Sequence, residues 1–222
     1  VPASLREFIF IAFHANPIGG HLNSFRTYTR IRLRYYWPGM YKDCERLCSK
    51  CPACALANRN RRRASELVYG FPIAAPFSVL HIDGFNAGAY TSFDGDGAYL
   101  IACDGMTSFG VMEPCKKTDS KCFATALMRI FMRFGMSHTI VIDKGSAFYG
   151  VFRKVVDLLQ LNCHTISAEN HDAMLVERLN KYLNKGLRVL TNERDSVRVA
   201  CEAILLLIYA WNSAPIPGTD IP

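Results

Sequence analysis

Two imidazoles and two thiols near the N-terminus, and three carboxylates further on, are the side chains whose types and spacing could do chemistry. In HANPIGGH, six residues separate His14 from His21, and in CPAC two separate Cys51 from Cys54. Two neutral imidazoles and two thiolates suit tetrahedral Zn²⁺, a borderline-soft ion with no geometric preference of its own. Cys48 stands at the same interval from Cys51 as Cys54 does, so the thiol pair needs a second argument. Tyr41, Cys44, Leu47 and Cys48 recur at helical spacing on one apolar face, which assigns Cys44 and Cys48 to a core and leaves Cys51 and Cys54 as ligands.

The carboxylates pose a different problem. Asp83 in HIDGF and Asp143 in VIDKGSAF each close a run of strand-forming residues. Carboxylates that terminate strands project over the edge where the loops begin, the usual place for a site in an α/β sheet. Glu177 lies in HDAMLVERLNKYLNKGL, an amphipathic helix whose Val176, Leu179, Leu183, Leu187 and Leu190 share one face. Packed on the sheet, that helix could bring a third carboxylate to the first two. Hard oxygen ligands of this kind bind Mg²⁺ or Mn²⁺. Two such ions can hold the attacking and leaving oxygens of an in-line displacement at phosphorus. Singly, each residue has a plainer reading, as a turn former or an exposed helix residue, and Asp104 also ends a strand-like run.

Several elements must position these groups. LREFIFIAFH and MYKDCERLCSKC read as helices in a small N-terminal domain, residues 1–57. A linker follows over 58–74, where the basic run Arg61, Arg62 and Arg63 leads into small residues, Gly and Pro. Beyond it, residues 79–85, 98–104 and 109–114 read as strands. TDSKCFATALMRIFMRFG then reads as a helix with Thr118 or Asp119 as its N-cap and Gly135 as its stop. Residues 138–143 form a strand, 147–160 a helix and 161–166 a strand, and 171–191 and 195–213 two further helices. Three strands followed by alternating helix and strand predict a mixed α/β sheet with helices on its faces over 75–222.

Charge is concentrated at the N-terminal end: residues 1–70 hold 12 Lys and Arg against 4 Asp and Glu, and the remainder 14 against 15. So strong a local excess favours a polyanionic partner, because neutralising phosphates releases their counterions. Nine Cys, four of them clustered, do not form a disulfide framework and read as a metal site in a reducing compartment. No apolar stretch approaches the roughly 20 residues that span a bilayer, so no membrane partner is expected. A start at Val1 without an initiator Met suggests a piece of a longer polypeptide.

These residues carry a resemblance over nearly the whole chain: it looks like an integrase of the LTR retrotransposons, closest to the Gypsy-like and retroviral type. HANPIGGH with RTYTRIRLRYYWPGMYKDCERLCSKCPAC is similar to the family's His-His-Cys-Cys module. Cys51 stands eleven residues past Met40, the family's spacing for its first Cys. HIDGF, IVIDKGSAF and LVERLNKYL resemble the elements of the Asp-Asp-Glu core of ribonuclease-H-like fold, supplying Asp83, Asp143 and Glu177. YAWNSAPIPGTDIP looks like the family's closing turn. The chain departs from the pattern in three places. Thirty-three residues lie between Asp143 and Glu177, two fewer than usual; Met174 or Leu175 stands where Gly is usual; and Asn23 replaces the Gly after the second His.

The resemblance implies a structural Zn²⁺ on His14, His21, Cys51 and Cys54, and catalytic Mg²⁺ or Mn²⁺ on Asp83, Asp143 and Glu177. It implies 3′-end processing of element cDNA and strand transfer into host DNA, within the nucleus. The partners would be double-stranded DNA, both element ends and target, and further copies of the chain, within a larger Pol polyprotein. Lys181 and Arg188 on the Glu177 helix, with Arg61, Arg62 and Arg63, would bind DNA. The alternative is a non-catalytic remnant that still binds DNA or chromatin through its zinc-dependent part. The chain stops before the small C-terminal β-domain the family leads one to expect.

Overall fold

A computed structural model describes residues 1–57, 75–87, 97–166, 175–193 and 197–214. The expected linker with Arg61, Arg62 and Arg63, the residues just before the Glu177 helix and the PIPGTDIP tail lie outside the described residues. The chain divides into two compact units, one of residues 1–62 with 183–222 and one of residues 63–182.

In the first unit, α1 (Ala3–Phe10) runs directly into one π-helical turn, Ile11–Ala15. Then come α2 (Ser24–Arg32), α3 (Met40–Lys50) and α4 (Pro52–Ala57). Asn23 caps α2, its side chain accepting from the Arg26 N–H at 2.9 Å. One buried apolar cluster gathers Ile31, Trp37, Met40 and Cys44, with Ile9, Phe13 and Tyr28 packed against it. The Trp37 indole N–H donates to the Asp43 carboxylate at 2.9 Å, and the Arg6 guanidinium lies 5.7 Å from the Trp37 ring centroid. The unit also takes in the later part of α7 (Leu175–Glu193) and α8 (Val197–Asn212), where the Arg26 guanidinium lies 3.8 Å from the Trp211 ring centroid.

The second unit is built on a five-stranded mixed sheet in the order β3-β2-β1-β4-β5. β1 (Val79–Asn86), β2 (Ala98–Asp104) and β3 (Gly110–Cys115) form an antiparallel meander. β4 (Thr139–Ile142) and β5 (Asn162–Thr165) continue the sheet in parallel from β1. Parallel neighbours need a crossover, and α6 (Val151–Leu158) supplies it between β4 and β5. Leu80, Ile82, Leu100 and Ala102 pack with Phe123, Leu127 and Ile130 of α5 (Ser120–Phe134) and with Phe152 and Val156 of α6. The alternate residues Tyr99, Ile101 and Cys103 are buried as well, so β2 reads as an unbroken apolar run. Of the two candidate caps, Thr118 and Asp119, it is Asp119 whose carboxylate accepts from the Cys122 N–H at 2.7 Å. The helix predicted over 147–160 is two pieces: a 3₁₀ turn, Ser146–Phe148, and α6 after Gly150.

This is the mixed α/β class expected, with a helical region ahead of it. Asp104, the third strand-end carboxylate, has a structural task. Fully buried, it accepts from the Phe77 N–H and the Thr107 N–H, each at 2.8 Å, and from the Thr107 hydroxyl at 2.6 Å. Asp104→Ala leaves those donors unpaired and is expected to cost about 2–4 kcal/mol. A lowered urea midpoint of the full chain would check this.

Candidate functional site

His14, His21, Cys51 and Cys54 present one ligand atom each, all within 4.8 Å of one another. Cys54 Sγ lies 3.5 Å from His14 Nε2 and 3.6 Å from His21 Nδ1, and Cys51 Sγ lies 3.5 Å from His21 Nδ1. With Zn–S near 2.3 Å and Zn–N near 2.0–2.1 Å, neighbouring N and S corners of a tetrahedron stand about 3.6 Å apart. The donors therefore fit zinc in both chemistry and spacing, and they are the pairs chosen from the sequence. Cys44 is core, as expected. Cys48 is not: it is half-buried, with Sγ 3.5 Å from His14 Nδ1.

Local structure aims these donors. His14 sits in the π turn and stacks on Phe10 at 4.6 Å, one of the places where such turns serve a site. The chain then doubles back, the His21 N–H donating to the His14 carbonyl at 2.9 Å. A side chain at Gly19 could not be accommodated, since a Cβ there would stand 2.7 Å from the His14 backbone nitrogen and carbonyl carbon. The buried Arg30 donates to the Ile18 and Gly19 carbonyls at 3.2 and 3.3 Å, pinning the same loop. His21 itself takes φ 48°, a left-handed conformation unusual outside glycine.

Burial sets the protonation states. It holds the His14 pKa down to about 3, with His21 and Lys185 adding to the effect, and the His21 pKa down to about 4, with Lys185 again contributing. Both rings are therefore neutral at pH 7, ready to act as ligands. The stability that comes from burying them uncharged is complete above about pH 6.5 and is lost as the pH falls toward the folded values. Burial also pushes the Cys54 thiol up to about 12, so a metal must displace its proton.

The acidic residues lie in the second unit. Asp83 is not at the end of β1, which continues to Asn86 and pairs Asp83 with Ile101 of β2. What ends near it is the parallel pairing with β4, whose last register pair is His81 with Val141. Asp83 and Asp143 both lie two residues beyond that pair, in one row. Asp143 Oδ1 accepts from the Gly145 N–H at 2.9 Å, and a Cβ on Gly145 would stand 2.9 Å from that same oxygen. Asp83 accepts from the Gly84 N–H at 2.7 Å and from the Asn180 amide at 2.8 Å. Burial raises the Asp83 pKa, Asn180 opposes the rise, and the charges of Asp143 and Glu177 add to it. Asp83 thus feels both other carboxylates. Glu177 Oε1 pairs with Lys181 Nζ at 2.8 Å, and its buried Oε2 has no hydrogen-bond partner.

An orphaned carboxylate oxygen beside two half-buried carboxylates fits a divalent cation. Sequence reasoning missed Asn180, although its place three residues past Glu177 on α7 was a usable signal. It also missed Arg30 and Thr27. Lys181 and Arg188 are exposed on α7.

Residues 1–60 match the family described as integrase zinc binding domain. The chain is 25% identical over 181 residues to the retrovirus-related Pol polyprotein from transposon 297 of Drosophila melanogaster, covering 80% of this chain and 16% of that protein. It is 24% identical over 128 residues to the Pro-Pol polyprotein of simian foamy virus type 3 (strain LK3), covering 58% of this chain and 11% of that one. The chain thus spans under a fifth of either polyprotein. In fold it is similar to a chain of the simian T-cell lymphotropic virus intasome in complex with PP2A regulatory subunit B56 gamma. The TM-score is 0.54 at 16% identity, over 88% of this chain and 65% of that one.

Two outcomes are expected of the zinc centre. Cys54→Ser lowers zinc affinity by more than about 100-fold, whereas Cys48→Ser, outside the donor set, changes it less than about tenfold; competition with a chromophoric chelator distinguishes them. Zinc uptake at pH 7 releases about two protons, both from thiols, because the imidazoles are already neutral. Calorimetry in buffers of different ionisation enthalpy counts them, and a release near four would contradict the neutral rings.

Proposed function

We propose, from this chain's kinship with retrotransposon and retroviral Pol polyproteins, that it is the zinc-binding and catalytic part of an integrase that inserts element cDNA into host DNA. In this reading residues 1–57 are the zinc domain, 58–74 a basic linker and 75–222 the catalytic core. The observation that carries the catalytic reading is the row of Asp83 and Asp143 with Glu177 within electrostatic reach, one of its oxygens buried and unpartnered.

Mg²⁺ or Mn²⁺ held by these carboxylates would supply water activation and neutralise the charge that builds on the leaving oxygen. Asn180 orients Asp83 by donating to its Oδ2. Water attacks a phosphodiester near each cDNA end and frees a 3′-OH. That hydroxyl then attacks a phosphodiester of the target, forming one P–O bond as the target's own P–O bond breaks. The protein's share is positioning and charge, as in phosphoryl transfer generally.

Lys181 and Arg188, exposed on α7, with Arg61, Arg62 and Arg63, would hold DNA phosphates. The partners are double-stranded DNA and further copies of the chain within a Pol polyprotein product, and the place of action is the nucleus. Glu177→Gln keeps shape and removes charge. It is expected to lower Mn²⁺-dependent strand transfer at least about 100-fold, the scale of deleting one transition-state stabiliser, with DNA binding unchanged. Gel analysis of oligonucleotide joining and fluorescence anisotropy read the two arms. A parallel loss of both would refute the catalytic role of Glu177. DNA binding without joining by the unsubstituted full-length protein would identify a remnant.

A further inference from the structure

We infer that Thr27 is the positioning residue that fixes the tautomer of His14 and so turns its Nε2 toward the metal, an inference that rests on the zinc reading of His14, His21, Cys51 and Cys54. Thr27 lies on α2, is fully buried, and belongs to no ligand set. Its hydroxyl Oγ1 donates to the Leu22 carbonyl at 3.2 Å, lies 3.3 Å from His14 Nδ1 and also meets the Cys48 thiol, and the same Leu22 carbonyl bonds the His14 ring.

A hydroxyl has one proton to give. Once that proton is on the Leu22 carbonyl, Oγ1 can only accept from Nδ1, so Nδ1 carries the hydrogen and Nε2 keeps the lone pair. Nε2 is the nitrogen 3.5 Å from Cys54 Sγ, on the side of the other donors. The relay and the donor geometry agree on the same nitrogen, and they are independent observations. Cys48 Sγ, 3.5 Å from Nδ1, is the competing neighbour, but a thiol is a weak donor as well as a weak acceptor.

His21 faces both thiols with the opposite nitrogen, Nδ1. The two imidazoles must therefore hold opposite tautomers when the metal binds, and a protein that left them unassigned would bind zinc with half of its donors turned away. Hydrogen bonding to the far nitrogen of a ligating His is the usual means of fixing this. Here a helix hydroxyl provides it, relayed to the chain just after His21.

The test uses the full chain loaded with Zn²⁺. Long-range ¹H–¹⁵N correlation is expected to show His14 protonated at Nδ1 and His21 protonated at Nε2. Thr27→Val, which keeps shape and removes the hydroxyl, is expected to lose the slowly exchanging His14 Nδ1–H signal and about 10–100-fold in zinc affinity, while Thr27→Ser stays within about threefold of the parent. Zinc on His14 Nδ1 in the unsubstituted chain overturns the proposal whether or not any variant folds. So does a Thr27→Val chain with parental zinc affinity and an intact Nδ1–H signal. Failure of the unsubstituted chain to bind zinc would instead overturn the zinc reading itself.

Discussion

The gathering of four donors from two stretches of chain is the constraint on which the N-terminal unit depends. Its first helices share an apolar cluster of Ile31, Trp37, Met40 and Cys44. Small modules often add a metal or a disulfide to such a core. The described cysteines are free thiols, and the four gathered donors offer a place for a metal instead. The local conformations follow from it. The π turn sets His14, Gly19 lets the loop close onto the His14 backbone, Arg30 holds that loop by its carbonyls, and His21 accepts a left-handed backbone. Each is unfavourable or unremarkable alone, and together they place two imidazoles with their ring centroids 5.0 Å apart.

A different logic separates the acidic residues of the second unit. Asp104 and Asp83 look alike in sequence, each following a run of strand formers. Asp104 is satisfied by three donors from the turn it organises, which is how a buried carboxylate becomes structural. Asp83 is half-buried near two further carboxylates, and its pKa is raised by partial burial and by their charge. Glu177 leaves one buried oxygen unpartnered. Such an arrangement contributes little to a fold by itself, and it is the kind of place where a ligand can bind.

The fold was legible where burial follows a simple period. β1, β2, β4 and the apolar face of α5 were read correctly, as was Gly135 as a stop, while the cap was narrowed to Thr118 or Asp119 and is Asp119. α2 was not read, because the residues it buries include Thr27, Thr29 and Arg30, which carry no hydrophobic signal. The zinc donors were legible because their chemistry is written in four residues of two types, His and Cys. Their supports were not, since Thr27 and Arg30 act through partners that only the folded loop brings near. Asp83 was placed at a strand end because it closes the strand-forming run of HIDGF. β2 overrides this by pairing on to Asn86, and the relevant end belongs to the neighbouring parallel ladder instead.

The cation beside Glu177 is consistent with a metal role for that carboxylate. Lys181 pairs with Glu177 at 2.8 Å along the helix, but its side chain is 63% exposed. Ion pairs of this kind, four residues apart on a solvated helix, contribute only about 0.3–0.5 kcal/mol. Exchanging the ammonium for a divalent cation shared by three carboxylates therefore sacrifices little, and it relieves a repulsion that the lysine, on the outer side of one oxygen, leaves in place. The displaced ammonium stays on α7, one turn from the acidic row, where a phosphate could take it up as a partner. A carboxylate among cations is thus a consistent arrangement: the local pairing at Glu177 is weak enough to yield to a stronger charge.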